Sequence, residues 1–438
     1  MSRRQRPNEP LTRDFIIRDP LYGFIEVSER ERQLLGTSAL QRMSRIKQLG
    51  HSYLVYPSAV HTRLEHSLGT MHLASRMSGQ LGLDDSKREV IRLAVLLHDL
   101  GHGPFSHIFE EVMRWANGDD FSHEDVSRQI ITSDEIRLIL GGRRFEEVLN
   151  LFRSKSIENE IISSSLDADK LDYLRRDSYH VGAAYGVFDL ERIIRTLTKA
   201  HQPERDYIAT HEKGADALEA YRLARYSMHV MVYEHHTRLI AEDMFLRCLK
   251  LAKEQRTFSI HNLDMGSSRF LKRYLSLDDS SIQEEILRNS HGKAKTIMLD
   301  IRRRHLLKRA YFTRVSKDTV PDPLKRLRLT EMSRERIDEF TTEIANDAHV
   351  DEDLLVVHPQ STQIKLYERF EDYAKGRDLP ILVMTRRGEP RDLEQFSPIS
   401  ASLEEVRSLY VFCPDDRKAR VGRIAERVFG VKNGLPVS

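Results

Sequence analysis

The chain has 438 residues, of which 40% are apolar and 31% charged, and its 69 Lys and Arg nearly balance 67 Asp and Glu for a net charge of +2. That composition excludes a disordered chain and a globally basic nucleic-acid coat, and no run approaches ~18 consecutive apolar residues, so no membrane span is expected. Two cysteines, Cys248 and Cys413, cannot build a disulfide framework and fit a reducing, cytoplasmic setting.

Residues 1–14 are polar and Arg-rich and read as a flexible N-terminus. Residues 15–28 mix β-branched residues with Asp-Pro and Gly, which predicts a short strand and a turn. From 29 to about 250 the pattern is mostly helical, with Leu34, Leu35, Leu40, Met43, Ile46 and Leu49 at three- and four-residue steps. The apolar run Ile91–Leu97 follows a charged helix start and delivers His98 and Asp99 at its end, where Gly101, Gly103 and Pro104 break it. Further helices are predicted over 123–140, 144–153, 166–177, 189–199 and 214–250, and a charged helical stretch over 276–315. An exposed linker is expected at 317–325. Beyond it, strands at 353–357, 380–384 and 408–412 alternate with helices at 328–346, 363–375 and 416–429. The fold class is therefore mainly α: an all-helical core over 15–315 and a smaller α+β C-terminal lobe over 316–438, read as regulatory or oligomerising.

Six histidines, at 61, 66, 98, 102, 107 and 123, fall within about 60 residues. A carboxylate at the end of an apolar helix is costly unless it is paired or holds a metal, and imidazole with carboxylate suits a divalent cation such as Mg, Mn, Fe, Ni or Zn. Neighbouring helical residues point in different directions, so His98 and Asp99 need ligands from elsewhere; His66 and Asp169 are the candidates. A zinc-protease helix is excluded because Asp99 stands where Glu is needed. In a helix over 166–177, Asp169, Tyr173 and Asp177 share one face, flanked by Lys170. Arg225, His229 and Tyr233 form a second stripe at four-residue steps, where Arg suits phosphate and Tyr can meet a sugar or base. A solvated charged face and a helix across a domain boundary are the plainer readings of these two stripes.

The set His66, His98-Asp99 and Asp169 resembles the four-ligand pattern of HD-domain phosphohydrolases. The blocks IRDPLYGFIEVS, LQRMSRIKQLG, HTRLEHSLG, LLHDLGHGPFSH, FSHE and DADKLDYLRRDS are similar to successive blocks of the deoxynucleoside triphosphate triphosphohydrolases, including the vertebrate protein that joins a SAM domain to an HD domain. The resemblance spans about 15–315 and implies hydrolysis of a dNTP to a deoxynucleoside and inorganic triphosphate at one divalent metal. It implies that His66, His98, Asp99 and Asp169 hold the metal and that His123 is the catalytic histidine, assisted by His102 and His107. Arg63, Lys170, Tyr173 and Arg225 would contact phosphates, with His229 on the same substrate face. Gln48 and Asp177 would read the sugar 3′-OH, Tyr233 would pack on the sugar, and Leu49 would crowd a 2′-OH.

One departure stands out. Where the SAM-HD relative reads an activating guanine nucleotide with an Asp and an Arg, this chain has Gly36 and Ser44, though Gln41 and Arg42 remain. Guanine activation in that form is not expected; a different regulatory nucleotide stays open, as does homo-oligomer formation. The basic runs at 302–309 and 325–328 read first as solvated or intersubunit helices, and second as a further nucleotide or nucleic-acid contact. Two other functions compete: an HD-type phosphodiesterase or nuclease acting on single-stranded nucleic acid, a cyclic nucleotide or another nucleotide, and a nucleotide-binding module without catalysis.

Overall fold

The computed structural model describes residues 15–119, 121–201, 205–361, 381–403 and 406–435. The flexible N-terminus expected at 1–14 and the helix expected at 363–375 lie outside the described residues. The fold is mainly α-helical with three small sheets. Among the described residues no helix is long and apolar enough to cross a membrane.

The core is organised by the helix Arg63–Gln80, which packs against the helices Asp85–Leu97 and Ala168–Val181. Asp85–Leu97 is apolar along its second half, and Ile91 through Leu97 are all buried, Arg92 included. Arg92 is tolerated because it forms a two-pronged ion pair with Glu31 at 2.6 and 2.7 Å, so the buried charge keeps its partner. Gly69 lets the central helices close: a Cβ there would lie 2.0 Å from Asp172 Oδ1 and 2.2 Å from Arg176 Nη2. Ahead of them, Phe15–Asp19 and Gly23–Val27 form the expected strand-and-turn unit as an antiparallel hairpin.

Several predicted elements need correction. The helix expected over 123–140 is two helices, His123–Ile131 and Asp134–Leu140, because Ser133 takes an extended conformation between them. The helix expected over 189–199 ends at Thr196. The chain then runs into the strand Leu197–His201, paired with Asp206–His211, where Tyr207, Ile208 and Ala209 are buried. The helix expected over 214–250 is broken by a π-turn at His229–Tyr233 between the helices Ala215–Met228 and His236–Glu254. Residues 276–315 hold the helices Asp279–Asn289 and Gly292–Arg302 but finish as a strand, Lys308–Arg314. The expected linker at 317–325 buries Val320 and already starts the helix Pro323–Thr330, which a break separates from Arg334–Ala348.

The three-stranded sheet has Arg407–Cys413 at its centre, flanked antiparallel by Lys308–Arg314 and Val356–Ser361. Its centre is buried at every position from Ser408 to Cys413, as a strand covered on both faces must be. The helices Arg334–Ala348 and Lys418–Phe429 cover it around a second apolar cluster that includes Leu355, Val411 and Phe429. A four-stranded sheet ties this end back to the core, since Leu382–Met384 pairs in parallel with Asp206–His211.

Candidate metal centre and active site

Three helix ends meet at one point. His66 sits in the first turn of Arg63–Gln80, a helix started by a capping box in which Thr62 and Glu65 satisfy each other's backbone N–H groups. His98 follows the last turn of Asp85–Leu97, and Asp99 comes next. Asp169 lies in the first turn of Ala168–Val181, whose start is capped by Asp167. His66 Nε2 is 2.9 Å from Asp169 Oδ1 and 3.8 Å from Asp99 Oδ2. His98 Nε2 is 3.2 Å from Asp99 Oδ1 and 3.8 Å from Asp169 Oδ1. The four residues singled out as metal ligands are thus brought together.

The ring nitrogens facing away from this point are both occupied. His66 Nδ1 meets Asp172 Oδ2 at 2.9 Å, and His98 Nδ1 meets the Val95 carbonyl at 2.5 Å. With Nδ1 donating, each Nε2 is left as a lone pair, and both Nε2 atoms are buried without a hydrogen-bond partner. Two bare imidazole nitrogens facing two carboxylates are a donor set for a divalent cation, and the donor atoms of His66, His98 and Asp99 lie close enough together to share one. The electrostatics agree. Burial pushes the His66 imidazole down, but the carboxylates of Asp169 and Asp172 on either side outweigh it and pull it up to about 10, so the pocket wants positive charge.

Asp99 is also held from outside. Arg63 Nη1 donates to Asp99 Oδ2 at 2.5 Å, and Arg63 Nε donates to Ser106 Oγ at 2.8 Å. Ser106 in turn donates to the Lys47 carbonyl at 2.9 Å. Phe105 and Ser106 hold this arrangement with φ of 57° and 62°, a left-handed pair that costs about 1–3 kcal/mol per residue and marks a loop fixed by its surroundings. Arg42, fully buried, pins the same loop from beneath through the His102 carbonyl at 2.9 Å and anchors it to the Leu277 carbonyl at 2.7 Å. Gly101 closes it against the next helix: its N–H donates to Ser127 Oγ, and a Cβ would lie 1.9 Å from the His123 carbonyl.

Beside the metal point lies a fan of three imidazoles. His102 stacks on His123 with ring centres 3.9 Å apart, and His107 stands edge-on to His102 at 4.9 Å. The carboxylate of Glu110 joins them, with Oε1 2.9 Å from His107 Nδ1 and 3.2 Å from His123 Nδ1. Burial raises the Glu110 carboxyl, but the bonds and charges of His107 and His123 outweigh it and leave Glu110 well below the usual carboxylate range. Burial, Arg63 and His123 keep His102 neutral, far below an ordinary imidazole.

His98, Asp99 and Asp169 of the metal point and the three imidazoles of the fan line a common cavity of about 400 Å³, together with Gln48, Arg63 and Tyr173. Behind Tyr173 stand other residues expected to touch substrate. The Tyr233 ring is 6.1 Å from that of Tyr173, and its hydroxyl donates to Asp177 Oδ2 at 2.7 Å, while Asp177 Oδ1 meets His61 Nε2 at 2.7 Å. His229 is edge-on to Tyr233 at 5.0 Å, its pKa lowered to about 3 by burial and by Arg225 and Arg238. Lys170 Nζ donates to Asp167 Oδ2 at 2.7 Å, and the charge of Arg225 reaches Tyr173 and Lys170. Leu49 is almost fully buried, at the start of the turn Gly50–Leu54.

Sequence reasoning missed Asp172, Glu110, Ser106 and Arg176. Asp172 carries the ion pair with Arg176 at 2.8 Å, and Arg176 reaches Asp19 in the hairpin at 2.9 Å. Spacing held a signal for two of them. Asp172 lies three residues after Asp169 on the same helix, and Glu110 lies three residues after His107, so each shares a face with its partner.

Comparison with known proteins agrees with this geometry. The HD domain profile matches residues 63–177, and that of the HD associated region matches 188–435. The uncharacterised protein YwfO of Bacillus subtilis is 32% identical over 425 residues, 92% of each chain. The deoxynucleoside triphosphate triphosphohydrolase SAMHD1 homolog of Dictyostelium discoideum is 31% identical over 319 residues, 67% of this chain, and the match spans 59% of that protein. A crystal structure of a phosphohydrolase of Bacteroides thetaiotaomicron superposes with a TM-score of 0.73 at 27% identity, covering 91% of this chain and 99% of that one. The chain belongs to the HD-domain phosphohydrolase family, of the dNTPase-like kind.

Proposed function

We propose that this protein hydrolyses deoxynucleoside triphosphates to deoxynucleoside and inorganic triphosphate. The observation that carries the reading is the convergence of His66, His98, Asp99 and Asp169 beside a cavity that also presents His123 and Arg63. A divalent ion on those four donors would act as a Lewis acid at the α-phosphate and lower the pKa of a bound water. Arg63 fixes Asp99 and adds positive charge beside it, which favours charge developing on the phosphate oxygens. His123, aligned through Nδ1 on Glu110, is placed to give a proton to the departing 5′-oxygen or to orient the water, with His102 and His107 around it. Lys170, Arg225 and Tyr173, with His229 beside them, form the phosphate side; Gln48, Asp177 and Tyr233 with Leu49 form the sugar side. Leu49 would reject ribonucleotides by occupying the space a 2′-OH needs. A homo-oligomer with the 316–438 lobe at its contacts completes the reading.

The test is to incubate the purified protein with Mg or Mn and each dNTP in turn. Triphosphate and deoxynucleoside are the expected products. Monophosphate and pyrophosphate, or no turnover with any dNTP, would overturn the proposal. Cleavage of single-stranded nucleic acid, with affinity falling steeply as salt rises, would favour the nuclease alternative.

A further inference from the structure

The fan of imidazoles is itself arranged as a ligand set. Glu110 Oε1 is 2.9 Å from His107 Nδ1, 3.2 Å from His123 Nδ1 and 3.8 Å from His102 Nδ1, so three ring nitrogens of one kind gather round a single carboxylate oxygen. The donor atoms of His102, His107 and Glu110 are close enough to share one ion. His102 is 2% exposed, and its Nδ1 is buried with no hydrogen-bond partner. Its other nitrogen, Nε2, faces Asp99 Oδ1 at 3.5 Å, so the ring stands between the metal point and the fan with one nitrogen toward each. An unpartnered buried nitrogen is costly, and a cation at the fan would relieve that cost. Imidazole nitrogens with one carboxylate oxygen are the N/O ligand types zinc takes, at about 2.0–2.2 Å per ligand. Magnesium, which demands oxygen ligands in an octahedron, is poorly served by them. His107 has a largely exposed side chain and opens the fan to ions from solution.

We propose that His102, His107, His123 and Glu110 form a second metal site, selective for zinc or a similar borderline-soft divalent ion, whose occupation switches the enzyme off. Occupation takes up Nδ1 of His123 and the Glu110 oxygen that aligns it, so the imidazole loses the orientation it needs for proton transfer. The inhibitory part of this proposal rests on the catalytic role given to His123; the existence of the site does not.

Zinc counting by elemental analysis after equilibrium dialysis against zinc alone separates the two. The wild-type protein is expected to hold about two equivalents, and His66→Ala to keep about one, held at the fan. His107→Ala and Glu110→Gln should also keep about one, held at the first point. Cobalt in place of zinc should give a tetrahedral visible spectrum in His66→Ala that His107→Ala lacks. His107 is exposed, so its replacement leaves the fold intact, and Glu110→Gln preserves shape. Equal zinc in wild type, His107→Ala and Glu110→Gln would overturn the second site. Equal zinc in wild type and His66→Ala would instead overturn the first site and leave the second standing. In turnover with magnesium or manganese fixed, added zinc is expected to lower kcat by roughly 100-fold or more. No loss of turnover at a zinc concentration that fills the site would overturn the switch.

Discussion

The metal point and the histidine fan lie side by side in one cavity but are built to different rules. At the metal point three of the four ligands are fixed from behind: His66 by Asp172, which Arg176 holds in turn, His98 by the Val95 carbonyl, and Asp99 by Arg63. Those supports are fully or nearly fully buried, so these three donors are set before any ion or substrate arrives. In the fan, one carboxylate serves three rings, and His107 and His123 are both partly open to solvent. Pre-positioning suits a site that must hold a charge. Partial access to solvent suits a group that must take and give up a proton.

Mutations that break this comparison should differ in kind as well as size. The largest effect is expected for His66→Ala or Asp99→Ala. Losing a ligand removes several kcal/mol of charge stabilisation, so metal content and turnover should fall together, kcat/KM by roughly 10³-fold or more. Retained metal in either variant would break the assignment of the first site. His123→Ala comes next, with kcat lowered by about 10²- to 10⁴-fold at nearly constant KM and full metal content. A rise in KM at constant kcat would move His123 from proton transfer to binding.

Asp172→Asn sharpens the claim that the metal point is preset. The neutral amide should loosen His66 and cost about 10- to 100-fold in metal affinity, read by competition with a chelator. Stability adds a signed check. Burial raises the Asp172 carboxyl, but Arg176 and His66 outweigh it and lower its pKa from 3.8 to about 2. A depressed carboxylate stabilises the fold above its unfolded pKa and loses that contribution as pH falls through the folded one. Wild type should therefore exceed Asp172→Asn by about 2 kcal/mol near neutral pH, with the gap closing between about pH 4 and pH 2 in denaturant titrations.

How much of this could be read from the sequence follows the same division. The metal ligands lie in short blocks whose helix starts and stops are written locally: Thr62 with Glu65, the apolar run Ile91–Leu97, and the Asp167 cap. Their supports were harder to find, because Arg63 to Asp99 and Arg176 to Asp19 join residues far apart in the chain. The lobe shows the limit most clearly. Lys308–Arg314 reads as charged helix, since its alternation is hidden by Lys308, Arg309 and Arg314, and only pairing with Arg407–Cys413 makes it a strand. The π-turn at His229–Tyr233 was also invisible, because a uniform helical step fits Arg225, His229 and Tyr233 equally well.

The smallest effect tests whether the fan is self-contained. Glu110 sits on the helix Ile108–Asn117 next to Glu111, which binds Arg114 on its own helix and Arg334 on the lobe helix Arg334–Ala348, the latter at 2.7 Å. Arg114 Nη2 also approaches Glu110 Oε2 at 3.8 Å, so a line of alternating charges runs from the lobe to the fan. The Arg334 side chain is 59% exposed and that of Glu111 33%, and pairs so open to water are worth no more than about 1 kcal/mol and fade with salt. Arg334→Ala should therefore change stability by less than about 0.5 kcal/mol and kcat by less than about twofold. A tenfold fall in kcat at low salt, restored by Arg334→Lys and abolished in wild type by high salt, would mean that the lobe sets the Glu110 carboxylate. The fan would then be fixed from behind as the metal point is, and the contrast between the two halves would fail at its softer side.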